Sequence, residues 1–205
     1  MLPKSAHLST TYGTHGKFDG NKCIDGIPTR SGSLCHSKKE LAPWLALDYG
    51  KDARVSVEKV VLFNMAEGDS EPIWHRTKNV EVRLANELPT SGKKMFTGGE
   101  LLGTFKGPGT KGQQIEIESG PGWEKKSGRY IVIQMNYKGK SDYLNLQEVF
   151  AVGFSNEGPD EGKLQLSFFY LHLPLGHVFY NLHNFQFYLA HICTDFKSCY
   201  LQTKM

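Results

Sequence analysis

The sequence contains none of the short motifs that mark common enzyme active sites. It has no Gly-x-Ser-x-Gly nucleophile turn, no His-Glu-x-x-His zinc motif and no glycine-rich phosphate-binding loop. No pairing of a nucleophile with a nearby base stands out either. These absences favour a binding protein over a catalyst.

The chain also has little net charge. Its 24 Lys and Arg residues against 21 Asp and Glu leave a formal charge of +3 at pH 7. The basic residues form neither a run nor a basic helix, which argues against a nucleic-acid partner. With 39% hydrophobic and 22% charged residues over 205 positions, the composition is typical of a globular protein with one full core.

The two ends of the chain lack the signals of membrane targeting. Residues 1–6 have no apolar signal-peptide core, so for a secreted protein we expect a piece of a longer chain or a missing true start. After an acidic linker at 156–163, residues 164–194 of the aromatic- and His-rich tail (164–205) contain no Asp, Glu, Lys or Arg. Polar residues interrupt this stretch too often for a membrane span. An extra packing segment and a stretch outside the natural domain remain the alternatives for the tail.

Four cysteines occur as two close pairs, Cys23/Cys35 and Cys193/Cys199. Neither pair has the Cys-x-x-Cys spacing of a zinc site. The short spacing of Cys23 and Cys35 favours a disulfide, with two partly buried thiols as the alternative. A disulfide would imply an oxidising compartment, and hence an extracellular or secreted protein.

The pattern of residues 50–155 predicts short strands separated by Gly-, Pro-, Ser- and Lys-rich connections. It contains no amphipathic stretch of helical length, and the chain has no internal repeat. Such a pattern predicts an all-β sandwich or barrel. The predicted strands cover residues 57–63, 80–84, 115–118, 130–135 and 149–152.

A series of spaced landmarks gives this β-rich pattern a more specific interpretation. The landmarks are Ser9-Thr10-Thr11-Tyr12, Cys23-Ile24-Asp25-Gly26, Leu34-Cys35-His36, Ala42-Pro43-Trp44-Leu45-Ala46-Leu47-Asp48, Arg76, Gly128-Arg129-Tyr130-Ile131 and Leu146-Gln147-Glu148-Val149. Their order over residues 5–155 resembles the discoidin family, also called the coagulation factor V/VIII type C family, and within it the fucose-binding F-type lectins (fucolectins). The resemblance implies a galactose-binding-domain-like jelly-roll β-sandwich over residues 5–155, with binding loops at one end.

The resemblance also implies a structural calcium ion (Ca2+). Calcium prefers six to eight oxygen ligands from carboxylates and carbonyls. Asp25 and Glu148 match the carboxylate positions, and a glutamate within an apolar strand either faces solvent or has a partner. The remaining implied ligands are the backbone carbonyls of Lys22, Ile27 and Gln147 and an oxygen of Ser33.

The sugar site of these lectins uses one histidine and two arginines that donate hydrogen bonds to the sugar. His36 matches the histidine and Arg76 the second arginine, and arginine suits the role because its planar donor fork is permanently charged. Met65 stands where the first arginine is expected, and Gln147 where the family has a cysteine. Trp74 is a further candidate, since an indole can stack on a sugar face or fill the core.

These observations predict a non-enzymatic extracellular module that binds carbohydrate on glycans or glycoproteins, or acts in cell adhesion. The alternative is a discoidin-type module that binds a phospholipid surface or a protein partner through apolar loop tips such as Ile73 and Trp74. A third hypothesis is an accessory binding domain of a larger enzyme.

Overall fold

The computed structural model describes residues 1–14, 16–28, 34–66 and 73–156. Ten β-strands and three short 3-10 turns account for the regular structure of these residues, and no α-helix occurs among them. The strands are β1 (Ser5–Leu8), β2 (Cys35–His36), β3 (Trp44–Asp48), β4 (Arg54–Phe63), β5 (Val80–Ala85), β6 (Glu100–Phe105), β7 (Gln114–Glu118), β8 (Tyr130–Met135), β9 (Asn145–Leu146) and β10 (Glu148–Asn156). The 3-10 turns span Gly20–Cys23, Ile73–Arg76 and Trp123–Lys125.

The strands form three antiparallel sheets. A five-stranded sheet has the order β1-β3-β8-β5-β6, a three-stranded sheet has the order β10-β4-β7, and β2 pairs with β9 in a small ribbon. All six residues of β8 are buried, as its continuous apolar run predicts. In β7 buried and exposed side chains alternate, as its sequence predicts: Ile115 and Ile117 are buried, and the polar residues on either side of them are exposed.

One apolar core lies between the two larger sheets. Leu45 and Leu47 of β3, Ile131 and Ile133 of β8 and Leu62 of β4 are all fully buried in it. Full burial of each such side chain contributes roughly 1.5–3 kcal/mol relative to exposure. The prediction of an all-β sandwich is therefore confirmed. Residues 157–205, which include the predicted tail, lie outside the described residues.

A disulfide joins Cys23 to Cys35, as predicted, and links the 3-10 turn Gly20–Cys23 to β2. Both cysteines are fully buried. Cys23 Sγ also lies 3.0 Å from the carbonyl oxygen of Leu146 in β9, so the turn, β2 and β9 meet at one place. The disulfide therefore fixes two loop segments against the closing strands of the fold.

Loss of this disulfide is expected to lower the free energy of unfolding by about 3 kcal/mol, because a cross-link of this loop length restricts the unfolded chain by roughly that amount. Thermal melts of the wild type and of the Cys23→Ser/Cys35→Ser variant, with and without reductant, measure the effect. The double variant is the control, because any remaining response to reductant must come from Cys193 and Cys199. Equal melting temperatures for the oxidised wild type and the variant would contradict the prediction.

The part of the chain that the structure describes contains no helix long and apolar enough to cross a bilayer.

Candidate functional site

The short β2–β9 ribbon places His36 opposite Asn145. Two further residues attach to the backbone of His36: its amide donates to the carbonyl of Phe18 at 3.0 Å, and its carbonyl accepts from the amide of Tyr12 at 2.8 Å. These backbone bonds bring residues from the long loop after β1 to either side of the histidine. The position of His36 is therefore set by main-chain hydrogen bonds on both sides of β2.

The rings around His36 form an aromatic cluster, defined here as Tyr12, Phe18, His36 and Tyr143. The His36 ring centroid lies 4.7 Å from that of Tyr12, 5.2 Å from that of Tyr143 and 6.0 Å from that of Phe18. Tyr12 is 46% exposed, so the cluster reaches the surface. Tilted and edge-on contacts at these distances are favourable for aromatic pairs, and they leave ring faces available for a ligand.

Arg76 joins this cluster from the 3-10 turn Ile73–Arg76. Its guanidinium carbon lies 4.8 Å from the centroid of the Tyr143 ring, which is cation–π geometry. Its Nε lies 3.4 Å from Oδ1 of Asp142, the residue directly before Tyr143. The structure thus brings together the two residues that the sequence predicted as sugar ligands, with one tyrosine ring between them.

The loop that carries Arg76 is hydrogen-bonded to the side chain of Asn64, which is 1% exposed. The Asn64 amide nitrogen donates to the carbonyls of Trp74 and Thr110, and its oxygen accepts from the Thr77 hydroxyl and the Met65 amide. All four hydrogen bonds that this side chain can make to neighbouring segments are formed. A buried and fully bonded amide of this kind holds a loop in one conformation.

His36 has a defined tautomer in this arrangement. Its Nδ1 lies 2.7 Å from the carbonyl oxygen of Ser37, so Nδ1 carries the proton and donates. Burial lowers the pKa of His36 below its ordinary value of 6.5, the Ser37 carbonyl opposes that change, and the nearby Arg76 charge lowers the pKa further. Neutral His36 therefore presents Nε2 as a hydrogen-bond acceptor, whereas the family resemblance implies a donor.

Met65 lies beside the ribbon and partly fills the position expected for the first arginine. Its sulfur accepts a hydrogen bond from Asn145 Nδ2 at 3.1 Å, while Asn145 Oδ1 is buried without a partner among the described residues. A thioether is a weak acceptor and carries no charge. Within the described residues the cluster consequently has one guanidinium, that of Arg76, where the resemblance implies two; the Lys17 ammonium lies 5.3 Å from the centroid of the Phe18 ring.

Trp74 lies in the same turn as Arg76 but makes different contacts. Its ring meets the edge of His75, and the Lys111 ammonium lies 5.7 Å from its centroid. No ring contact joins Trp74 to the aromatic cluster within the described residues. Ile73 and Trp74 are both partly buried, so neither forms a freely exposed loop tip.

The residues predicted to hold calcium assemble around Glu148, at the start of β10. Its side chain is fully buried. One carboxylate oxygen accepts from the amides of Gly26 and Ile27 at 2.9 and 3.1 Å, and the other accepts from its own neighbour Val149. Burial raises the pKa of Glu148 to about 7, against the lowering effect of the amides, and the adjacent Asp25 carboxylate raises it further.

This arrangement fits a cation. Two carboxylates lie side by side, and no cationic side chain of the described residues pairs with Glu148. Asp25 is exposed and also accepts from the Ile27 amide at 3.1 Å, so the 25–27 loop is folded around both acidic groups. The Gln147 side chain accepts a hydrogen bond from the Ala66 amide, and the predicted role of the Gln147 backbone carbonyl stays a prediction. Ser33 lies outside the described residues, and no group of three or more His, Cys, Asp or Glu side chains converges within them.

The sequence matches no protein-family model, and no curated protein matches it. Solved structures do match. The fucolectin from striped bass (Morone saxatilis) serum superposes with a TM-score of 0.58 at 23% identity, over 73% of this chain and 46% of that chain. A histidine variant of the lectin binding domain of lectinolysin, complexed with Lewis b, gives 0.53 at 25% identity over 73% and 92% of the two chains. A fucose binding module from Streptococcus pneumoniae gives 0.51 at 19% identity, over 73% and 91%.

The fold is the jelly roll of these lectin modules. The resemblance seen in the sequence is thereby confirmed at the level of fold. The chain spans less than half the length of the striped bass fucolectin. At these identities the ligand has to be argued from the side chains.

Several residues of the site were not predicted from the sequence. Tyr12, Phe18 and the adjacent pair Asp142 and Tyr143 lie at three separated places in loops, where no periodic pattern marks them. The available signal was indirect, since Tyr12 belongs to the first landmark and Tyr143 lies three residues before the last. Their convergence on His36 depends on the β2–β9 pairing, which only the three-dimensional structure reveals.

Proposed function

We propose that this protein is a non-enzymatic carbohydrate-binding module whose glycan site is the aromatic cluster together with Arg76. The observation that carries the proposal is the meeting of His36 and Arg76 on the Tyr143 ring, at 5.2 and 4.8 Å. It joins hydrogen-bonding groups to aromatic surface on the fold of known lectin modules. The neighbours of similar fold support this assignment, since they are a fucolectin, a lectinolysin domain complexed with Lewis b and a fucose binding module.

Each part of the site has a chemical task in sugar binding. The guanidinium of Arg76 donates to hydroxyl or ring oxygens, and Nε2 of neutral His36 accepts from a hydroxyl group. The faces of Tyr12 and Tyr143 contact the apolar C–H face of the sugar ring. Because Met65 supplies no donor, we expect a neutral glycan that is held as much by aromatic contact as by charge-assisted hydrogen bonds.

Calcium is proposed as a structural ion bound by the carboxylates of Asp25 and Glu148. The support is the buried Glu148 side chain beside a second carboxylate, which a divalent cation would neutralise. Lys22, Ile27 and Gln147 are the proposed backbone donors, with Ser33 as a further oxygen. When bound, the ion would supply local positive charge that keeps Asp25 and Glu148 ionised and the 25–27 loop closed.

An extracellular location, with a role in binding glycoproteins or in cell adhesion, is part of the proposal. The Cys23–Cys35 disulfide supports it, since such bonds persist in oxidising compartments. The module would act alone or as the recognition part of a longer protein.

A glycan array probed with the full-length, oxidised chain in calcium tests the proposal. We expect binding to one or more neutral glycans, and fucosylated oligosaccharides are the first to examine. Sedimentation with vesicles of phosphatidylserine and phosphatidylcholine provides the comparison with a membrane-binding module. Vesicle binding without glycan binding would contradict the proposed function.

The protonation of His36 gives a pH prediction. Its lowered pKa means that the folded protein holds the neutral form at pH 7 and above, so glycan affinity should be constant from pH 7 to 8.5. As the pH falls through the folded pKa of His36, which lies below the ordinary 6.5, a proton on Nε2 would remove the acceptor and place a second cation beside Arg76, and affinity should fall. The stability contribution has the same sign: it is complete above the unfolded pKa and is lost as the pH falls through the lower folded pKa.

Calorimetric titration at several pH values measures this effect. Arg76 is the charged group that acts on His36, Asp142 pairs with Arg76, and the Lys17 ammonium lies over the Phe18 ring. Tyr12 and Tyr143 are the titratable rings in contact with His36. The His36→Gln variant is the control, because it keeps a hydrogen-bonding side chain that does not titrate. If the glycan affinity of that variant falls at acidic pH as in the wild type, the pH dependence belongs to another group.

A further inference from the structure

The hydroxyl group of Tyr137 connects the two residues whose side chains form the cation–π pair. It donates to the backbone carbonyl of Tyr143 at 2.6 Å and lies 3.2 Å from the backbone carbonyl of Arg76. Tyr137 is 5% exposed and lies two residues after the end of β8, and its ring is part of the apolar core. The phenol has one proton: the short bond goes to Tyr143, and the Arg76 carbonyl and the Met135 sulfur, both at 3.2 Å, lie within reach of the same O–H group. One buried hydroxyl group thus lies against the main chain of both loops that build the proposed site.

The two loops that carry Arg76 and Tyr143 belong to different parts of the chain. Arg76 ends a 3-10 turn between β4 and β5, whereas Tyr143 precedes β9. Their direct links are the cation–π contact and the 3.4 Å approach of Arg76 Nε to Asp142 Oδ1, both at partly exposed side chains. Partly exposed ion pairs contribute little and leave such side chains mobile. The buried Tyr137 hydroxyl is the rigid connection between the two backbones.

The hydroxyl is also a dependable donor. Burial raises the pKa of Tyr137 far above its ordinary value, the Asp142 charge adds to this, and Arg76 opposes it. The group therefore keeps its proton at neutral pH. A buried carbonyl that loses such a donor is left without a partner, which is more costly than the loss of the bond itself.

We propose that Tyr137 is a positioning residue of the glycan site: through the carbonyls of Arg76 and Tyr143 it sets the guanidinium over the tyrosine ring. The inference rests on the proposed function and deepens it. Tyr137 does not touch the glycan. It acts on affinity by holding the binding groups in the geometry that the sugar requires, which reduces the ordering that binding would otherwise need.

The test is the Tyr137→Phe variant of the full-length chain, which removes one oxygen and keeps the ring. Tyr49→Phe is a matched control: Tyr49 is a second buried tyrosine, its hydroxyl has no partner among the described residues, and it lies at the opposite end of β3 from Tyr137. Two quantities are measured for each variant. One is the dissociation constant for the best array glycan, and the other is the NMR resonance of the Arg76 side-chain Nε–Hε group.

The Arg76 resonance reports position directly, because a guanidinium over an aromatic face experiences the ring current of Tyr143. In Tyr137→Phe we expect Hε to move toward the value of a free arginine and affinity to fall about fivefold to tenfold, the effect of one buried hydrogen bond. In Tyr49→Phe both should match the wild type. A purely structural role would lower the melting temperature of Tyr137→Phe and leave its Arg76 resonance in place, whereas Tyr49→Phe, which removes a hydroxyl without a partner among the described residues, should not be destabilised.

The outcomes separate this inference from the proposed function. An unchanged Arg76 resonance and unchanged affinity in Tyr137→Phe would overturn the positioning role. If no glycan binds the wild type, the proposed function is wrong, and the shift of the Arg76 resonance in Tyr137→Phe still decides the positioning role. If Tyr137→Phe does not fold, the wild-type spectrum decides: an Arg76 Hε without a ring-current shift would overturn the inference.

Discussion

Replacement of Arg76 by Ala is expected to weaken glycan binding by about 10- to 100-fold while leaving the fold intact. Among the described residues Arg76 supplies the one guanidinium of the proposed site, and it lies partly exposed on the Tyr143 ring, whereas the Lys17 ammonium lies over the Phe18 ring. Hydrogen bonds from a charged group contribute roughly 1.5–3 kcal/mol, and each 1.4 kcal/mol corresponds to a tenfold change in affinity. Because Met65 supplies no second guanidinium, no neighbouring residue replaces the lost donors.

Two further variants make this result specific. Arg54→Ala removes an equal charge from an exposed position at the start of β4 and should bind like the wild type. Arg76→Lys keeps the charge without the planar donor fork and should bind almost as weakly as Arg76→Ala. Titration calorimetry with the best array glycan measures all three, and full affinity in Arg76→Ala would place the sugar elsewhere.

Removal of calcium is expected to lower the melting temperature by roughly 5 to 10 °C. An ion at 100 times its dissociation constant stabilises the folded state by about 2.7 kcal/mol, and about 1 kcal/mol shifts the melting temperature of a domain of this size by roughly 2–4 °C. Asp25→Asn should abolish most of this response because it removes one of the two carboxylates. In chelator the same variant should be at least as stable as the wild type, since the like charge beside buried Glu148 is gone.

The wild type should therefore melt above Asp25→Asn in calcium but not in chelator. This change distinguishes a calcium ligand from an aspartate with a purely structural role. Asp52→Asn, at an exposed position, is the matched control and should respond to calcium like the wild type. Thermal melts in calcium and in chelator provide all the values. A wild type that does not respond to calcium, or an Asp25→Asn variant that responds fully, would contradict the proposed ion site.

Much of the sandwich could be predicted because its central strands have regular patterns. β7 alternates and β8 is continuously apolar, so both were recognised from the sequence, as were β5 and most of β4. The two-residue strands β2 and β9 carry no such pattern. They are defined only by their pairing with each other, and a strand so short has too few positions to show a period.

The candidate site shows the same limit more clearly. His36, Arg76 and Glu148 were identified through a resemblance, and the structure brings the first two together. The rings of Tyr12, Phe18 and Tyr143 were not identified, because loop contacts between distant segments have no local signature. The tautomer of His36 is likewise a property of its backbone neighbour Ser37, and no spacing in the sequence reveals it.

The most direct test of the glycan site follows the aromatic and imidazole NMR resonances of the full-length chain during titration with the best array glycan. Direct contact with the aromatic cluster predicts saturable shifts of Tyr12, His36 and Tyr143, with Trp44, which packs on the five-stranded sheet, unchanged. Shifts that leave these three residues unaffected and appear at another surface would contradict the glycan site proposed for this protein.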